Sequence, residues 1–224
     1  MTARIPFAHV RTWVFDLDET LYPAGAPLFP QIEARMTRWI MDLLHVDAAE
    51  ADRLRTAWWH DHGTTLAGLM REHGADPDPF LHDVHQIDFS VLDPDPDLRA
   101  ALAALPGRRI IYTNGTVPYA RNVLKARGLT GVWDAIYGVE DAGYAPKPDR
   151  AAFARVFAKD GLDPTQAAMF EDSPRNLAVP HDMGLVCVHV GPRPHQAGHI
   201  HDHTDDLTTY LRGILPPGAP PVGV

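Results

Sequence analysis

Cysteine is almost absent from this sequence: Cys187 is the only one in 224 residues. An intramolecular disulfide and a cysteine-based zinc cluster are therefore excluded, and the composition suits a reducing compartment, so a cytoplasmic location is expected. Lysine is scarce as well, limited to Lys125, Lys147 and Lys159. Lys plus Arg number 20 against 29 Asp plus Glu, a formal charge of −9. A chain this acidic lacks the basic face that neutralises a phosphate backbone, so no nucleic-acid partner is expected. A small anionic substrate remains compatible, because one local cation and a metal suffice to hold it. No run of 18 apolar residues exists, so no membrane span is expected. The segment from Met1 to Phe15 has no apolar stretch of leader length before its first strand-like run, so no secretory leader is expected.

What is present is ordinary for a globular chain, with 45% apolar and 22% charged residues. Thr12-Trp-Val-Phe-Asp16 is short, apolar and β-rich, the pattern of a strand buried on both faces. The texture then changes between Pro27 and Ile87. Phe29, Ile32, Met36, Trp39, Ile40, Leu43 and Leu44 follow the i, i+3, i+4, i+7 stripe of an amphipathic helix. Asp47-Ala-Ala-Glu50 resembles a capping box opening a second helix through Trp58 and Trp59. Gly63-Thr64-Thr65 breaks the pattern, a third helix follows from Leu66 to Glu72, and a fourth is placed at Pro77–Val84. After Asp93 the elements alternate. Strands are predicted at Arg109–Thr113, Ala135–Val139, Ala167–Glu171 and Leu185–Val190. Helices are predicted at Leu98–Leu105, Pro118–Arg127, Asp149–Lys159 and Pro174–Pro180. Alternation of this kind predicts an α/β fold, a parallel sheet covered on both faces. The tail from Pro216 to Val224 reads as disordered.

The polar residues of interest fall where strands end: Asp16, then Thr113-Asn114-Gly115, then Glu171-Asp172-Ser173. Open α/β sheets bind ligands beyond the carboxyl ends of their strands, so the three groups are expected to converge. Asp16 and Asp18 are two apart, and alternate residues of extended chain point the same way. Close carboxylates repel unless a proton or cation intervenes. With Asp172 added, the site is rich in oxygen and suited to Mg²⁺. Lys147, pinned between Pro146 and Pro148, can hold a phosphate and offset the acids. Thr113 and Asn114 can donate to phosphate oxygens, and capping of the next helix is the alternative role.

Taken in order, Phe15-Asp16-Leu-Asp18-Glu-Thr20-Leu21, Thr113-Asn114-Gly115, Lys147-Pro148 and Phe170-Glu171-Asp172-Ser173 resemble the four motifs of the haloacid dehalogenase superfamily over almost the whole chain. The resemblance implies a Rossmann-like parallel core over residues 1–22 and 93–224, with an inserted all-helical cap at 23–92. It implies Asp16 as nucleophile and Asp18 as general acid and base. Mg²⁺ would be held by Asp16, the Asp18 carbonyl and Asp172, with Glu171 in support, and the phosphoryl group by Thr113, Asn114 and Lys147. The dehalogenases proper lack an acid two residues after the nucleophile, whereas phosphohydrolases and β-phosphoglucomutases have one. Asp-Leu-Asp-Glu-Thr-Leu-Tyr-Pro23, Gly63-Thr64-Thr65-Leu66, Tyr-Thr-Asn-Gly-Thr116 and Glu-Asp-Ser-x-x-Asn176-Leu177 are similar to pyrimidine 5′-nucleotidases. The implied substrate is thus a small phosphorylated metabolite, a nucleoside monophosphate first, with Thr64 and Thr65 as selecting residues. A phosphatase for a sugar phosphate or phosphoglycolate, a mutase, and a catalytically idle binding module are the alternatives.

Three other features read as structural. His195, His199, His201 and His203 lie in a Pro/Gly-rich stretch and read as solvated loop histidines. Of the adjacent Trp58 and Trp59, only one can enter a helix interface. Cys187 sits in an apolar strand and reads as inert core.

Overall fold

The computed structural model describes residues 7–215; the tail expected to be disordered lies outside the described residues. Six strands form one parallel sheet: β1 (Thr12–Phe15), β2 (Arg108–Tyr112), β3 (Ala135–Tyr137), β4 (Ala167–Glu171), β5 (Val186–Val190) and β6 (Asp202–Thr204). Their spatial order is β3-β2-β1-β4-β5-β6. β1 is therefore central, flanked by β2 and β4, and the chain turns to opposite sides of it. That is a topological switch point, where the crevice at the strand ends opens. Phe15 is level with Ile111 on one side and Phe170 on the other, so Asp16 emerges beside the ends of both neighbours.

The sheet is buried on both faces, and period-two alternation sorts its residues between two cores. Trp13, Phe15, Ala168 and Phe170 belong to one core, while Val14, Ala167 and Met169 belong to the other. The Phe15 and Phe170 rings stack with centroids 4.8 Å apart. The second core is completed by Phe153, Val156 and Phe157 of the helix Arg150–Asp160. The first continues into the helices inserted between β1 and β2.

Four of those helices are α1 (Phe29–Leu44), α2 (Ala48–His62), α3 (Thr65–His73) and α4 (Pro77–Val84). They match the four predicted between residues 27 and 87. Asp47 caps α2 by accepting from Glu50 N–H, as the capping box requires. Trp58 is buried at 2% exposure and Trp59 is 57% exposed, so one of the two tryptophans enters the interface. Gly68 makes that packing possible, because a Cβ there would stand 2.2 Å from Trp58. The chain then forms α5 (Pro96–Ala103), α6 (Val117–Ala126), α7 (Arg150–Asp160), α8 (Ala178–Met183) and α9 (Leu207–Ile214).

Two elements lie where the sequence reading placed only loop. β6 is three polar residues at the sheet edge, stabilised by pairing with β5 and not by its own propensity. α9 follows it, capped by Asp206 and burying Leu207 and Leu211. The expectation of solvated loop histidines holds for the exposed His195 and His201 and is corrected for the half-buried His199 and for His203, which lies in a strand. His199 Nε2 lies 2.8 Å from Pro174 O, and His201 Nδ1 accepts from Cys187 N–H at 2.9 Å. His203 lies within β6, with Nε2 2.7 Å from Gly191 O. His195 is exposed. Cys187 is buried, and burial pushes its thiol up to about 12, which fits an inert residue.

Arg127, just past α6, is a buried cation that the sequence reading did not single out. Its guanidinium donates to Leu21 O at 3.1 Å, to Asp93 O, and to Asp95 Oδ2 at 2.8 Å. One side chain thus ties together the segment where the chain departs toward α1 and the segment where it returns to α5. Replacing it leaves those groups without their donor. Arg127→Met is expected to lower unfolding stability by about 3 kcal/mol, read as a fall in the urea midpoint; an unchanged midpoint would remove the clamp from the account.

Candidate active site

Asp16 stands immediately after β1, with its N–H donated to Phe170 O across the sheet at 2.9 Å. Its carboxyl is nearly inaccessible, at 4% residue exposure. Lys147 Nζ reaches it at 2.6 Å, while also donating to Glu171 Oε2 at 2.7 Å and to Tyr112 O at 3.1 Å. All three acceptors come from the ends of adjacent strands. The lysine itself arrives on the loop before α7, and its backbone N–H is held by Asn114 Oδ1 at 2.8 Å. The Lys147–Pro148 peptide is cis.

Asp16, Glu171 and Asp172 each bring a carboxylate oxygen within 4.8 Å of the others. Glu171 is the most heavily engaged. Its Oε1 accepts from Ser173 N–H at 3.2 Å and Asn176 Nδ2 at 3.1 Å, so the acid is pinned at both oxygens. Asp172 is half-buried, and its carbonyl accepts from His189 Nε2–H at 2.9 Å.

One ammonium cannot balance this many acids. Burial first, then the Glu171 charge, pushes Asp16 up to about 8 despite Lys147. Burial, with Asp16 and Glu171 adding to it, pushes Asp172 up to about 9. Burial opposes the charge of Lys147, but Asp16 and Glu171 outweigh it and hold the ammonium protonated. A cluster of hard oxygens that lacks positive charge fits a hard divalent cation such as Mg²⁺. Asp16 and Asp172 are the carboxylates free to hold it, with Glu171 braced behind them.

Asp18 occupies a separate niche. Its Oδ1 accepts from Tyr22 Oη–H at 2.8 Å and from Tyr119 Oη–H at 2.7 Å, and Thr113 Oγ1 lies 3.4 Å from Oδ2. Burial raises its pKa, while the hydrogen bonds from Tyr119, Tyr22 and Thr113 work the other way. The two tyrosines hold a carboxyl beside the cluster in a fixed orientation. Neither was selected from sequence. Tyr22 lies four residues from Asp18 and was legible as a neighbour; Tyr119 comes from the first turn of α6 and carries no local signal.

The remaining expected residues are also placed. Thr113 is fully buried, and its hydroxyl accepts from Gly115 N–H at 2.9 Å, so it is committed to its own turn and to Asp18. Asn114 spends its carbonyl on Lys147 N–H and keeps its amide hydrogens as donors. The cap of α6 is Thr116, which accepts from Tyr119 N–H. Thr64 caps α3 by accepting from Ala67 N–H at 3.1 Å, and the buried Thr65 lies 3.4 Å from Arg55 O. Thr65 is therefore spent within the helices, while Thr64 keeps its hydrogen to donate. The turn that carries them reaches toward the core, since a Cβ at Gly63 would lie 3.8 Å from Pro146.

Comparison with known proteins agrees with this arrangement. The chain is 23% identical over 192 residues to Phosphate metabolism protein 8 of Saccharomyces cerevisiae, covering 78% of this chain and 60% of that protein. It thus spans less than two thirds of that relative's length. Its fold is similar to the HAD phosphatase from Thermococcus onnurineus, with TM-score 0.63 and 19% identity over 95% of this chain and all of the other. It is also similar in fold to the 2-haloacid dehalogenase from Pseudomonas syringae pv. Tomato DC3000, with TM-score 0.59 and 20% identity over 92% of this chain and 98% of the other. The sequence family of hydrolases described as haloacid dehalogenase-like matches residues 10–184. With that match spanning all four motifs, from Asp16 to Asp172, the chain belongs to the haloacid dehalogenase-like hydrolases.

Proposed function

We propose that this hydrolase is a Mg²⁺-dependent phosphomonoesterase working through an aspartyl-phosphate, with a pyrimidine nucleoside 5′-monophosphate as its substrate. The observation that carries the reading is Asp18: a buried carboxyl two residues after Asp16, fixed by Tyr22 and Tyr119. A haloacid dehalogenase needs no acid there, because a departing halide takes no proton. A departing alkoxide needs one.

In this reading Asp16 attacks phosphorus, and the bond from phosphorus to the ester oxygen breaks. Asp18 gives its proton to that oxygen, which leaves as an alcohol. The carboxylate of Asp18 then takes a proton from water, whose oxygen attacks phosphorus and releases Asp16 with inorganic phosphate. The amide of Asn114 orients a phosphoryl oxygen, while Lys147, whose three hydrogens go to Asp16, Glu171 and Tyr112 O, contributes its positive charge to the phosphoryl group. When bound by Asp16, Asp172 and the Asp18 carbonyl, Mg²⁺ supplies the neutralising charge that lets an anionic nucleophile meet an anionic ester. In this scheme the core is formed by residues 7–22 and 93–215, the described part of 1–22 and 93–224, and residues 23–92 are the cap that limits water and selects the leaving group. Thr64, with a hydroxyl hydrogen to donate, is the cap residue retained for selection. The proposed location is the cytoplasm.

Phosphate release from p-nitrophenyl phosphate and from nucleoside monophosphates tests the reading. Asp16→Asn is expected to cut turnover by more than about 10³-fold, since an amide is no nucleophile. Asp18→Asn should cost about 10²–10⁴-fold, the usual worth of a positioned acid and base. Activity of either variant within tenfold of the parent would overturn the mechanism.

The raised carboxyls also set a pH dependence of stability. A carboxyl whose native pKa lies above its unfolded value binds more protons when folded, so stability falls as pH rises. For Asp16 and Asp172 the loss runs from near the ordinary aspartate value of 3.8 up to about 8 and about 9. In EDTA the urea midpoint is expected to fall between pH 5 and pH 9. Added Mg²⁺ should raise it, and most at the alkaline end. A flat profile with no response to Mg²⁺ would exclude the metal site.

A further inference from the structure

Asp172 lies one residue beyond the end of β4, in the turn that leads to Pro174, so the direction of its carboxylate depends on how its own peptide is fixed. The neighbouring strand supplies that fixing. His189 of β5 is level with Glu171 in the sheet, and its Nε2 reaches Asp172 O at 2.9 Å. A carbonyl can only accept, so the ring hydrogen sits on Nε2. A second histidine makes the same kind of contact two residues on, where His199 Nε2 lies 2.8 Å from Pro174 O. Between the two, Ser173 N–H is donated to Glu171 Oε1 at 3.2 Å. The turn carrying Asp172 is thus held at its carbonyls by two imidazoles that come from outside it.

His189 is a costly residue where it stands. It is 6% exposed, and its companions in β5 are the buried Val186, Cys187, Val188 and Val190. Its Nδ1 is buried without a hydrogen-bond partner among the described residues. A bare polar atom in a dry site is a penalty that an apolar side chain would not carry. What offsets it is the bond from Nε2 to Asp172 O. The surroundings make room for that bond, because a Cβ at Gly191 would stand 3.2 Å from His189 Cε1 and Nε2. The turn at Gly191 is fixed by β6 in its turn. Gly191 N–H is donated to Thr204 O at 2.8 Å, and His203 Nε2 lies 2.7 Å from Gly191 O. The His203 ring rests against that of His189, with centroids 5.3 Å apart. A polar edge strand with little propensity of its own therefore supports the ring that holds Asp172.

We propose that His189 is a positioning residue for the metal site: by its Nε2–H bond to Asp172 O it fixes the turn so that the Asp172 carboxylate is presented to a divalent cation beside Asp16. The inference rests on the metal-dependent reading and adds to it a group, remote from the cation, that sets the affinity of the site. Outer hydrogen bonds that orient a ligand are worth about 10–100-fold in metal affinity.

The test compares His189→Met, which keeps the length of the side chain and lacks the donor, with His189→Gln, whose amide nitrogen can donate in its place. Mg²⁺ binding to the full chain is measured by calorimetry without substrate. The methionine variant is expected to bind Mg²⁺ about tenfold more weakly or worse, and the glutamine variant to stay within about threefold of the parent. In hydrolysis of p-nitrophenyl phosphate the methionine variant should need about tenfold more Mg²⁺ for half its maximal rate, while the rate at saturating Mg²⁺ falls by less than about threefold. Arg108→Met controls for general loosening. Arg108 opens β2 at the end of the sheet away from the site and pairs with the buried Asp160 at 2.7 Å, so its loss should lower the urea midpoint and leave Mg²⁺ affinity unchanged. Unchanged Mg²⁺ binding in a folded methionine variant overturns the role of His189. So does equal weakening in the glutamine variant or in Arg108→Met. Should the methionine variant not fold, His189→Phe takes its place under the same criteria. A parent chain that binds no Mg²⁺ overturns the metal-dependent reading itself, and the inference falls with it.

Discussion

The contact of Lys147 Nζ with both Asp16 and Glu171, at 2.6 and 2.7 Å, is the interaction on which the site depends. A parallel sheet with β1 at its switch point delivers acids from neighbouring strand ends into a dry crevice. Ionised carboxylates there are costly unless paired. The pairing group must come from outside the sheet and must not withdraw into solvent. Lys147 meets both needs because its loop is held by Asn114, itself one residue beyond the end of the β2 extension at Thr113. The second motif thus positions the third, and the third partly neutralises the first and fourth.

That neutralisation is incomplete, and the remainder explains the division of labour among the acids. Glu171 is saturated by Lys147, Ser173 and Asn176 and acts as a brace. Asp16 and Asp172 retain oxygens for a cation and, in the proposed reaction, for phosphorus. Asp18 is insulated from the competition by its tyrosines. Burial raises its pKa and favours the protonated form, and the two neutral donors only partly offset that. In the proposed reaction a carboxyl with that leaning is suited to begin as the acid.

The strand ends were the legible part of this sequence. Asp16, Asp18, Thr113, Asn114, Glu171 and Asp172 could be placed near one another from two regularities: strands buried on both faces read as apolar runs, and parallel sheets present ligands at their carboxyl ends; Lys147, on a loop, joined them through the family resemblance. The four inserted helices were legible from their stripes and caps. What escaped was anything whose stabilisation is borrowed. β6 has no strand character of its own, and its histidines are ordered by carbonyls and an amide far away in sequence. Arg127 looks like an ordinary helix-terminal arginine until Leu21 and Asp93 are brought to it. Tyr119 is 101 residues from the carboxylate it holds. Thr113 and Thr65 were read as donors to a ligand, yet local backbone and neighbouring side chains use their hydroxyls; a hydroxyl in sequence says nothing about which acceptor is nearest.

The inserted helices meet the core through two unlike joints, and the contrast bears on how the site works. At one joint Arg127 grips both connecting segments through carbonyls and Asp95, a buried set of charge-assisted bonds that resists opening. At the other, contact is made by a His85–Tyr119 stack, a Thr116 Oγ1–His85 Nδ1 hydrogen bond at 3.3 Å and a Tyr144–Asp78 hydrogen bond. Tyr144 there adopts a left-handed backbone, at φ 61°, uncommon for a residue with a bulky side chain. The first joint is strong and close to the chain connections; the second is weak and lies over the chemistry. A rigid pivot with a lightly held face is the arrangement that lets helices part from a core without unfolding either. Because Tyr119 belongs to that face and also holds Asp18, the lightly held joint and the proposed acid-base group share one residue.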